Sequence, residues 1–359
     1  LIENGIDIEC RSGFQPQKKM QPLGEPVYKD LITPQDFRRY FITNRLDKFN
    51  WNQKLHRKRN EKIFRGTRIL IPVRPLKSDE FRFRGVRLER EVIHKDNILA
   101  IKIKENNKYI RNISPYLAIL NSKLMGYFFF LVSVQWGKGE EKRATIRNTD
   151  IEKLPLVDFK FKIKEKTVLT NLVEQIERMH TITSKSEIES VEEQIEEIVF
   201  EIYNLLDYEK EIIRDFYEIN VERTGSRKYV NEKDLKNYIV NFSKTFELML
   251  AENYTIEGTY KITGNVGAVV CFSFVDQVEF ADPKEDASLE ILHFVKSKQL
   301  QETEISKIMN EDKVKIYKEK FFYIIKSNLF KDWTKKQAIK DAKEEIGLLL
   351  SKLPETHGT

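Results

Sequence analysis

The chain has 359 residues, of which 40% are hydrophobic and 11% aromatic, so apolar cores can form and wholesale disorder is excluded. Lysine and arginine total 62 against 56 aspartate and glutamate, which gives a formal net charge of +6. Cys10 and Cys271 belong to no C-x-x-C or Cys/His cluster, which argues against a zinc ribbon or a disulfide scaffold and favours a reducing cytoplasm. The sequence opens on Leu1 rather than Met, so we expect either a fragment or a chain that lacks its native start.

The first block, residues 1–160, has the pattern of a strand-rich α/β domain. Short β-like runs punctuated by proline, glycine and asparagine predict strands over 67–73, 81–88, 91–93 and 98–103. A single helix is predicted from about Ser114 to Leu131, with Pro115 in its first turn, where proline is tolerated.

The second block, residues 161–222, predicts an antiparallel hairpin of two helices. Apolar residues spaced by three and four form one stripe on each helix, and a polar break at 181–186 separates the helices. The stripe includes Leu169, Leu172, Ile176, Ile188, Val191 and Ile195. The second helix also carries a glutamate-rich face, which we expect to be solvated and to avoid nucleic acid: Glu187, Glu189, Glu192, Glu193, Glu196, Glu197 and Glu201.

The third block, residues 223–359, follows a polar linker and predicts a small α+β domain. The expected elements are helices at 232–252, 289–295 and 333–353 and strands near 254–262, 267–274 and 314–325. The whole chain is therefore expected to be of the α+β class.

Positive charge is concentrated between Arg38 and Arg111, where 22 Lys and Arg stand against 8 Asp and Glu, a surplus of 14. Such a field concentrates polyanions, and arginine forks suit phosphates and guanine edges. A second basic stretch runs from Lys138 to Arg147, and Arg82 and Arg84 are predicted to share one face of a strand. The candidate DNA-binding residues are Arg38, Arg39, Arg57, Lys58, Arg59, Arg65, Arg68, Arg82, Arg84, Arg87, Lys138, Lys142, Arg143 and Arg147.

The sequence lacks the motifs of the common catalytic and nucleotide-binding sites. The chain has no Pro-Pro turn for gripping a flipped base, no glycine-rich strand-to-helix turn and no phosphate-binding loop. Its five histidines are scattered, so no metal site is expected. The nearest arrangement to a Mg²⁺-dependent nuclease is Asp286 with Glu311, Asp312 and Lys313, but both segments have the composition of turns. We therefore expect the chain to do no chemistry alone.

Several motifs, in the same order along the chain, resemble the target-recognition domains of restriction–modification DNA adenine-N6 methyltransferases and of Type I specificity subunits. The strongest is the Leu-Asn-Ser-Lys-Leu helix within Ser114–Phe128, followed by the Leu-Pro exit of Arg147–Leu156. The other similar segments are Pro26–Lys29, Arg68–Pro72, Leu169–Met179 and Ile195–Leu206. The resemblance covers roughly residues 20–220 and leaves the third block unassigned.

The resemblance implies a recognition component that binds double-stranded DNA while a separate methyltransferase chain carries S-adenosylmethionine, with no cofactor in this chain. It implies a setting in restriction–modification or another anti-phage defence system. The apolar stripe of the hairpin, from Leu169 to Ile195, is then expected to dock on the methyltransferase chain. Two other hypotheses stay open: a cryptic Mg²⁺-dependent nuclease in the C-terminal domain, and an assembly subunit that does not bind DNA.

Overall fold

The structure, a computed structural model, describes residues 6–17, 21–42, 46–74, 81–106, 108–133, 145–179, 185–222, 228–250, 256–263, 267–274, 313–317 and 321–351. The chain divides into two compact units, Leu1–Leu206 and Asp207–Thr359, called unit 1 and unit 2. The described residues form a mixed α+β structure with mainly antiparallel sheets, which confirms the predicted class.

Unit 1 contains small sheets followed by helices. Its strands are β1 (Ile6–Ser12), β2 (Gln15–Pro16), β3 (Tyr28–Ile32), β4 (Asp47–Asn50), β5 (Leu55–Arg57), β6 (Arg68–Pro72), β7 (Val86–Leu88), β8 (Ile93–His94), β9 (Ile98–Glu105) and β10 (Lys108–Tyr109). Its α-helices are α1 (Ser114–Asn121), α2 (Lys123–Val132), α3 (Asn148–Ile151), α4 (Ile163–Met179) and α5 (Lys185–Ile202).

The main sheet of unit 1 has the order β1-β9-β6-β7, and β10 also pairs with β9. Alternation along β6 separates two cores, because successive side chains point to opposite faces of a strand. Ile69 and Ile71 pack with residues of α1, α2, α4 and α5, whereas Leu70 packs with residues of β3, β7 and β9. The helices therefore cover one face of this sheet.

The helix predicted over 114–131 is broken at Ser122, where α1 and α2 meet at a bend of 59°. Ser122 has extended backbone angles, and its hydroxyl accepts a hydrogen bond of 3.1 Å from the backbone N–H of Met125. The Glu196 carboxylate accepts the backbone N–H of Lys123 at 2.8 Å. Two caps of this kind satisfy helix N-terminal donors, so the chain starts a new helix instead of continuing the first.

The apolar stripe of α4 and α5 lies inside the core of unit 1. Leu169, Ile176 and Ile195 have no exposed surface, Leu172 and Val191 are buried, and Ile188 packs against the same core. The prediction that this stripe docks on a partner chain is wrong for this structure, because the chain's own sheet and α1 already cover it.

Unit 2 packs helices against a four-stranded antiparallel sheet of order β11-β12-β14-β13. Its elements are α6 (Asp207–Tyr217), a π-helical turn (Glu218–Glu222), α7 (Glu232–Leu250), β11 (Ile256–Thr263), β12 (Gly267–Phe274), β13 (Val314–Tyr317), β14 (Phe321–Lys326) and α8 (Lys335–Leu350). Aromatic side chains of α7, among them Phe242 and Phe246, pack with Phe272 of β12 in its core.

Two further predictions concern a strand over 81–88 and a helix over 289–295. The strand predicted over 81–88 exists only at Val86–Leu88, because Phe81 has a positive φ of 51° and Arg82 turns into the interior. The helix predicted over 289–295 lies outside the described residues. Among the residues that the structure describes, no single helix is long and apolar enough to cross a membrane; α1 and α2 reach that length only when counted together across their bend.

Candidate nucleic-acid interface

A cavity of about 370 Å³ in unit 1 brings basic side chains together from three parts of the chain. Its lining residues are Glu9 and Arg11 of β1, Arg59, Asn60, Lys62 and Ile63 after β5, Ala100 and Lys102 of β9, and Tyr109 of β10. Among the described lining residues, four cations thus face one carboxylate. A concave surface of this sign attracts anionic groups such as phosphates.

The pairing of β1 with β9 sets the floor of this basic cavity. Glu9 lies opposite Lys102 and Arg11 opposite Ala100 in the antiparallel register. Side chains at alternate positions of a strand share a face, so Glu9, Arg11 and Lys102 stand on the same side of the sheet as Lys104.

The segment after β5 forms the wall of the basic cavity, and Arg59 anchors it. The Arg59 Nε donates to the carbonyl of Gly13 at 3.2 Å, and its Nη2 donates to the Ser12 hydroxyl at 2.7 Å. Lys102 of β9 contacts the same segment, since its Nζ donates to the carbonyl of Lys62 at 2.7 Å. The acceptors of these hydrogen bonds are neutral carbonyl and hydroxyl groups, so the bonds themselves leave the positive charge of both side chains in place.

The charges of the basic cavity are unequally matched. Glu9 accepts a 2.7 Å hydrogen bond from the Tyr109 hydroxyl and pairs with Lys104 at 2.9 Å, and these two contacts lower its pKa. Arg11 lies 3.5 Å from Glu152 and 3.9 Å from Glu9. For Arg59, Lys62 and Lys102, by contrast, no ion pair forms with any residue that the structure describes. Burial and the nearby Arg68 lower the pKa of Lys102.

Two predicted DNA-binding residues come directly before this wall in the chain. Arg57 ends β5 and Lys58 follows it, and both side chains are exposed. The Lys58 Nζ lies 5.9 Å from the centre of the Trp51 ring, within cation–π range. The basic cavity and these two side chains form the surface that we call the basic face: Arg11, Arg57, Lys58, Arg59, Lys62 and Lys102.

Other predicted DNA-binding arginines are neutralised by the chain itself. Arg39 donates to Glu192 at 2.8 Å, and Arg87 donates to Glu177 at 2.7 Å. Arg65 pairs with Glu91 at 2.7 Å and with Glu61 at 3.4 Å. Surplus charge counted along the sequence therefore overstates the charge that is free to attract DNA.

Arg68 and Arg82 are buried, and the prediction that they contact DNA is wrong for this structure. Arg68 is fully buried and donates to the carbonyls of Gly66, Arg90 and Val92, and burial lowers its pKa to about 10. The Arg82 side chain is 4% exposed, and its guanidinium holds the carbonyl of Asn121 through two nitrogens, at 3.0 and 2.8 Å. Both guanidiniums join elements of the fold instead of facing solvent.

Two glutamates of α5 explain why the Arg82 guanidinium can be buried. Glu192 is 7% and Glu196 is 1% exposed, although the sequence predicted a solvated face. Glu196 accepts a 2.8 Å hydrogen bond from Arg82, and Glu192 lies 3.4 Å from the same guanidinium. Burial opposes the charge of Glu192, but Arg82 and Arg39 outweigh it and hold its pKa below the ordinary value.

The remaining predicted residues lie elsewhere. Arg38 is exposed and donates to the carbonyl of Phe37 at 2.9 Å, Arg84 is half-buried, and Arg147 is exposed at the start of α3. The stretch that contains Lys138, Lys142 and Arg143 lies outside the described residues.

Arg11, Lys62 and Lys102 were missed by counting clusters of charge. Alternation within Ile98–Glu105 was the available signal, because Lys102 and Lys104 occupy every second position and must share a face. That Arg11 joins them depends on the pairing of β1 with β9, which sequence periodicity does not specify.

Most residues of the nuclease arrangement considered from the sequence lie outside the part of the chain that the structure describes. Asp286, Glu311 and Asp312 lie outside the described residues. Lys313 is ion-paired to Asp341 and Glu344 of α8. Within the described ranges, no group of three or more His, Cys, Asp or Glu side chains is placed to hold a metal ion.

The chain was also compared with known proteins. A scan against models of protein families and a search of curated proteins each find no match to it.

Proposed function

We propose that this chain is the DNA sequence-recognition component of an adenine-N6 DNA methyltransferase system, and that the basic face holds the DNA duplex. The observation that carries the proposal is the convergence of Arg59, Lys62 and Lys102 on one cavity without ion-pair partners among the described residues. Phosphate contacts of this kind position a protein on DNA, and polar side chains nearby then read base edges.

The methyltransferase setting is supported by the ordered motifs that resemble target-recognition domains, with their strand-rich domain and two-helix hairpin. In this proposal a separate methyltransferase chain flips adenine and carries S-adenosylmethionine, and the complex acts in restriction–modification or another anti-phage defence system in the cytoplasm. The Leu-Asn-Ser-Lys-Leu motif then has a structural role. Asn121 holds the backbone of Gly85 through hydrogen bonds of 2.6 and 3.0 Å.

The docking surface for the methyltransferase chain must differ from the buried stripe of α4 and α5. The exposed glutamates of α5 are one polar surface that the proposal leaves available, for example Glu187 and Glu193. Negative charge there would repel the DNA backbone, which keeps this surface free for a protein.

The proposal is tested by neutralising exposed cations of the basic face that hold no backbone hydrogen bond. The variant carries Arg57→Gln, Lys58→Gln and Lys62→Gln, and leaves Arg59 and Lys102 in place because they tie the wall of the basic cavity. Its matched control removes three exposed lysines of unit 2, Lys236, Lys244 and Lys331. Binding of a mixed-sequence duplex is measured by fluorescence anisotropy over a range of salt concentrations.

The basic-face variant is expected to bind more weakly and to lower the slope of log affinity against log salt by about 2 to 3, since each lost phosphate contact removes about 0.9. The control variant should keep the wild-type slope. Equal slopes in all three proteins would refute the proposal. That outcome would instead support an assembly subunit that does not bind DNA, a second candidate favoured by the internal pairing of Arg39, Arg65 and Arg87.

A further inference from the structure

The basic cavity is a separate compartment within the basic face, and its size limits what can enter it. Its volume of about 370 Å³ lies in the range of about 300–1,000 Å³ that is typical of small-ligand sites. A DNA duplex is far wider than such a space, so a whole duplex cannot occupy it, whereas one phosphate group can. The basic cavity therefore fits a small anion.

Three cations of the lining keep hydrogen-bond donors that the described chain does not use. The Arg59 side chain is fixed through Nε and Nη2, which bond to Gly13 and Ser12, and its Nη1 bonds to no described residue. The Lys62 Nζ likewise has no partner in the described ranges. Lys102 donates one hydrogen bond from its Nζ, and an ammonium group has three donors. Three side chains thus offer donors to one acceptor group.

Positive charge outweighs negative charge in this lining. Glu9 is the one carboxylate among the described lining residues, and Tyr109 and Lys104 already engage it. Lys102 is half-buried, and burial together with the nearby Arg68 lowers its pKa, so its charged form is less favourable there than in water. An anion within hydrogen-bond distance of Lys102 would offset this penalty.

The number of cations indicates which kind of phosphate fits best. A phosphomonoester, as at the end of a DNA strand, carries a charge of about −1.5 to −2 near pH 7 and presents three acceptor oxygens. An internal phosphodiester of a duplex carries a single negative charge. Arg59, Lys62 and Lys102 supply three positive charges without ion-pair partners among the described residues, which match the monoester better.

We propose that the basic cavity binds one terminal phosphate group, a phosphomonoester, through Arg59, Lys62 and Lys102. The inference deepens the proposed function, and it rests on that function where the phosphate belongs to DNA. The 5′ end of a DNA strand and a free mononucleotide present the same chemistry, and the probes separate these two sources. Either source makes the basic cavity a site for a small anion beside the surface that holds the duplex.

The test uses the full chain and two pairs of probes. One pair is a mixed-sequence duplex with either 5′-phosphate or 5′-hydroxyl ends, measured by fluorescence anisotropy. The other pair is deoxyadenosine monophosphate and deoxyadenosine, measured by isothermal titration calorimetry. The variant is Lys62→Gln, because the Lys62 side chain is exposed and bonds to no described residue. Its matched control is Lys58→Gln, which removes the same charge from an exposed position of the basic face outside the cavity lining.

The wild-type chain is expected to prefer the phosphate-bearing member of at least one pair by about threefold or more. Lys62→Gln should abolish this preference, whereas Lys58→Gln should weaken duplex binding and keep the preference. A preference seen with the duplexes alone identifies the strand end as the source of the phosphate. A preference that extends to the monophosphate identifies a free nucleotide.

A wild-type chain without preference in either pair overturns the proposal. Equal loss of the preference in the two variants also overturns it, because a general attraction between opposite charges would then explain the result. Both results leave the proposed function standing if the chain still binds the duplex with a steep salt dependence. Conversely, monophosphate binding that depends on Lys62, in a chain without salt-dependent duplex binding, supports this inference and refutes the proposed function.

Discussion

Removing one partner of the buried ion pair between Arg82 and Glu196 is expected to be among the most destabilising single changes in unit 1. The Arg82 and Glu196 side chains are 4% and 2% exposed, and their closest atoms are 2.8 Å apart. Replacing Arg82 by methionine removes the charge and keeps much of the volume. It leaves Glu196 buried without its cation and removes both donors from the carbonyl of Asn121.

Breaking a buried pair from one side is unfavourable by about 3–5 kcal/mol, because the remaining charge stays out of water. Glu196 keeps its hydrogen bond from the backbone N–H of Lys123, and Glu192 keeps Arg39, so complete unfolding is not expected. We therefore expect Arg82→Met to lower the free energy of unfolding of unit 1 by about 3–5 kcal/mol. Adding Glu196→Gln should recover part of this loss, because it removes the unpaired charge.

The assay is urea titration followed by hydrogen exchange and mass spectrometry, which reports each unit separately. Peptides from α2 and α5 report unit 1, and peptides from α7 serve as the internal control in unit 2. The matched control variant is Arg65→Met, whose side chain is 59% exposed and whose ion pairs are expected to contribute less than about 1 kcal/mol. If α2 and α5 are as well protected from hydrogen exchange in Arg82→Met as they are in Arg65→Met, the reasoning on buried charge is refuted.

Two other predictions concern single titratable groups. Burial lowers the pKa of His94 to about 4 from an ordinary 6.5. Between these pH values the unfolded chain binds a proton that the folded chain does not. The free energy of unfolding of unit 1 should therefore fall by about 3 kcal/mol as the pH falls from 7 to 4. The measurement is urea unfolding at several pH values, and a His94→Gln variant with the same loss as the wild type between pH 6.5 and 4.5 would contradict it. In unit 2, Lys326 is 3% exposed and its cation is paired with the fully buried Asp341, so Asp341→Ala should lower stability by about 3–5 kcal/mol. Thermal denaturation compares this variant with a double variant that also carries Lys326→Met. The double variant should be the more stable of the two, because it no longer buries an unpaired Lys326 cation, and equal or lower stability would contradict the prediction.

Periodicity in the sequence predicted the elements whose apolar pattern is regular. α7 and β12 appear close to their expected bounds, and α4 and α5 form the two amphipathic helices expected around residues 181–186, because spacings of three and four or of two fix one buried face. The break at Ser122 was missed, because its second cap comes from Glu196, more than 70 positions along the chain.

The candidate site was predictable in its sign and region but not in its members. A surplus of 14 positive charges between Arg38 and Arg111 located the basic half of the chain. Which arginines keep their charge exposed depends on where glutamates of other elements lie. Arg39 and Arg82 meet α5, whereas the strand register brings Arg11 and Lys102 to a cavity that no local pattern indicates.

The amino-acid sequence by itself determined the α+β class, the amphipathic helices and the concentration of basic residues in the N-terminal half, because these follow from composition and from local spacing. Only the tertiary structure decided which charges are neutralised within the chain and that the stripe of α4 and α5 is core instead of a docking surface. The physical reason is that burial and ion pairing depend on neighbours from distant parts of the chain, and local propensity carries no information about which neighbours those are.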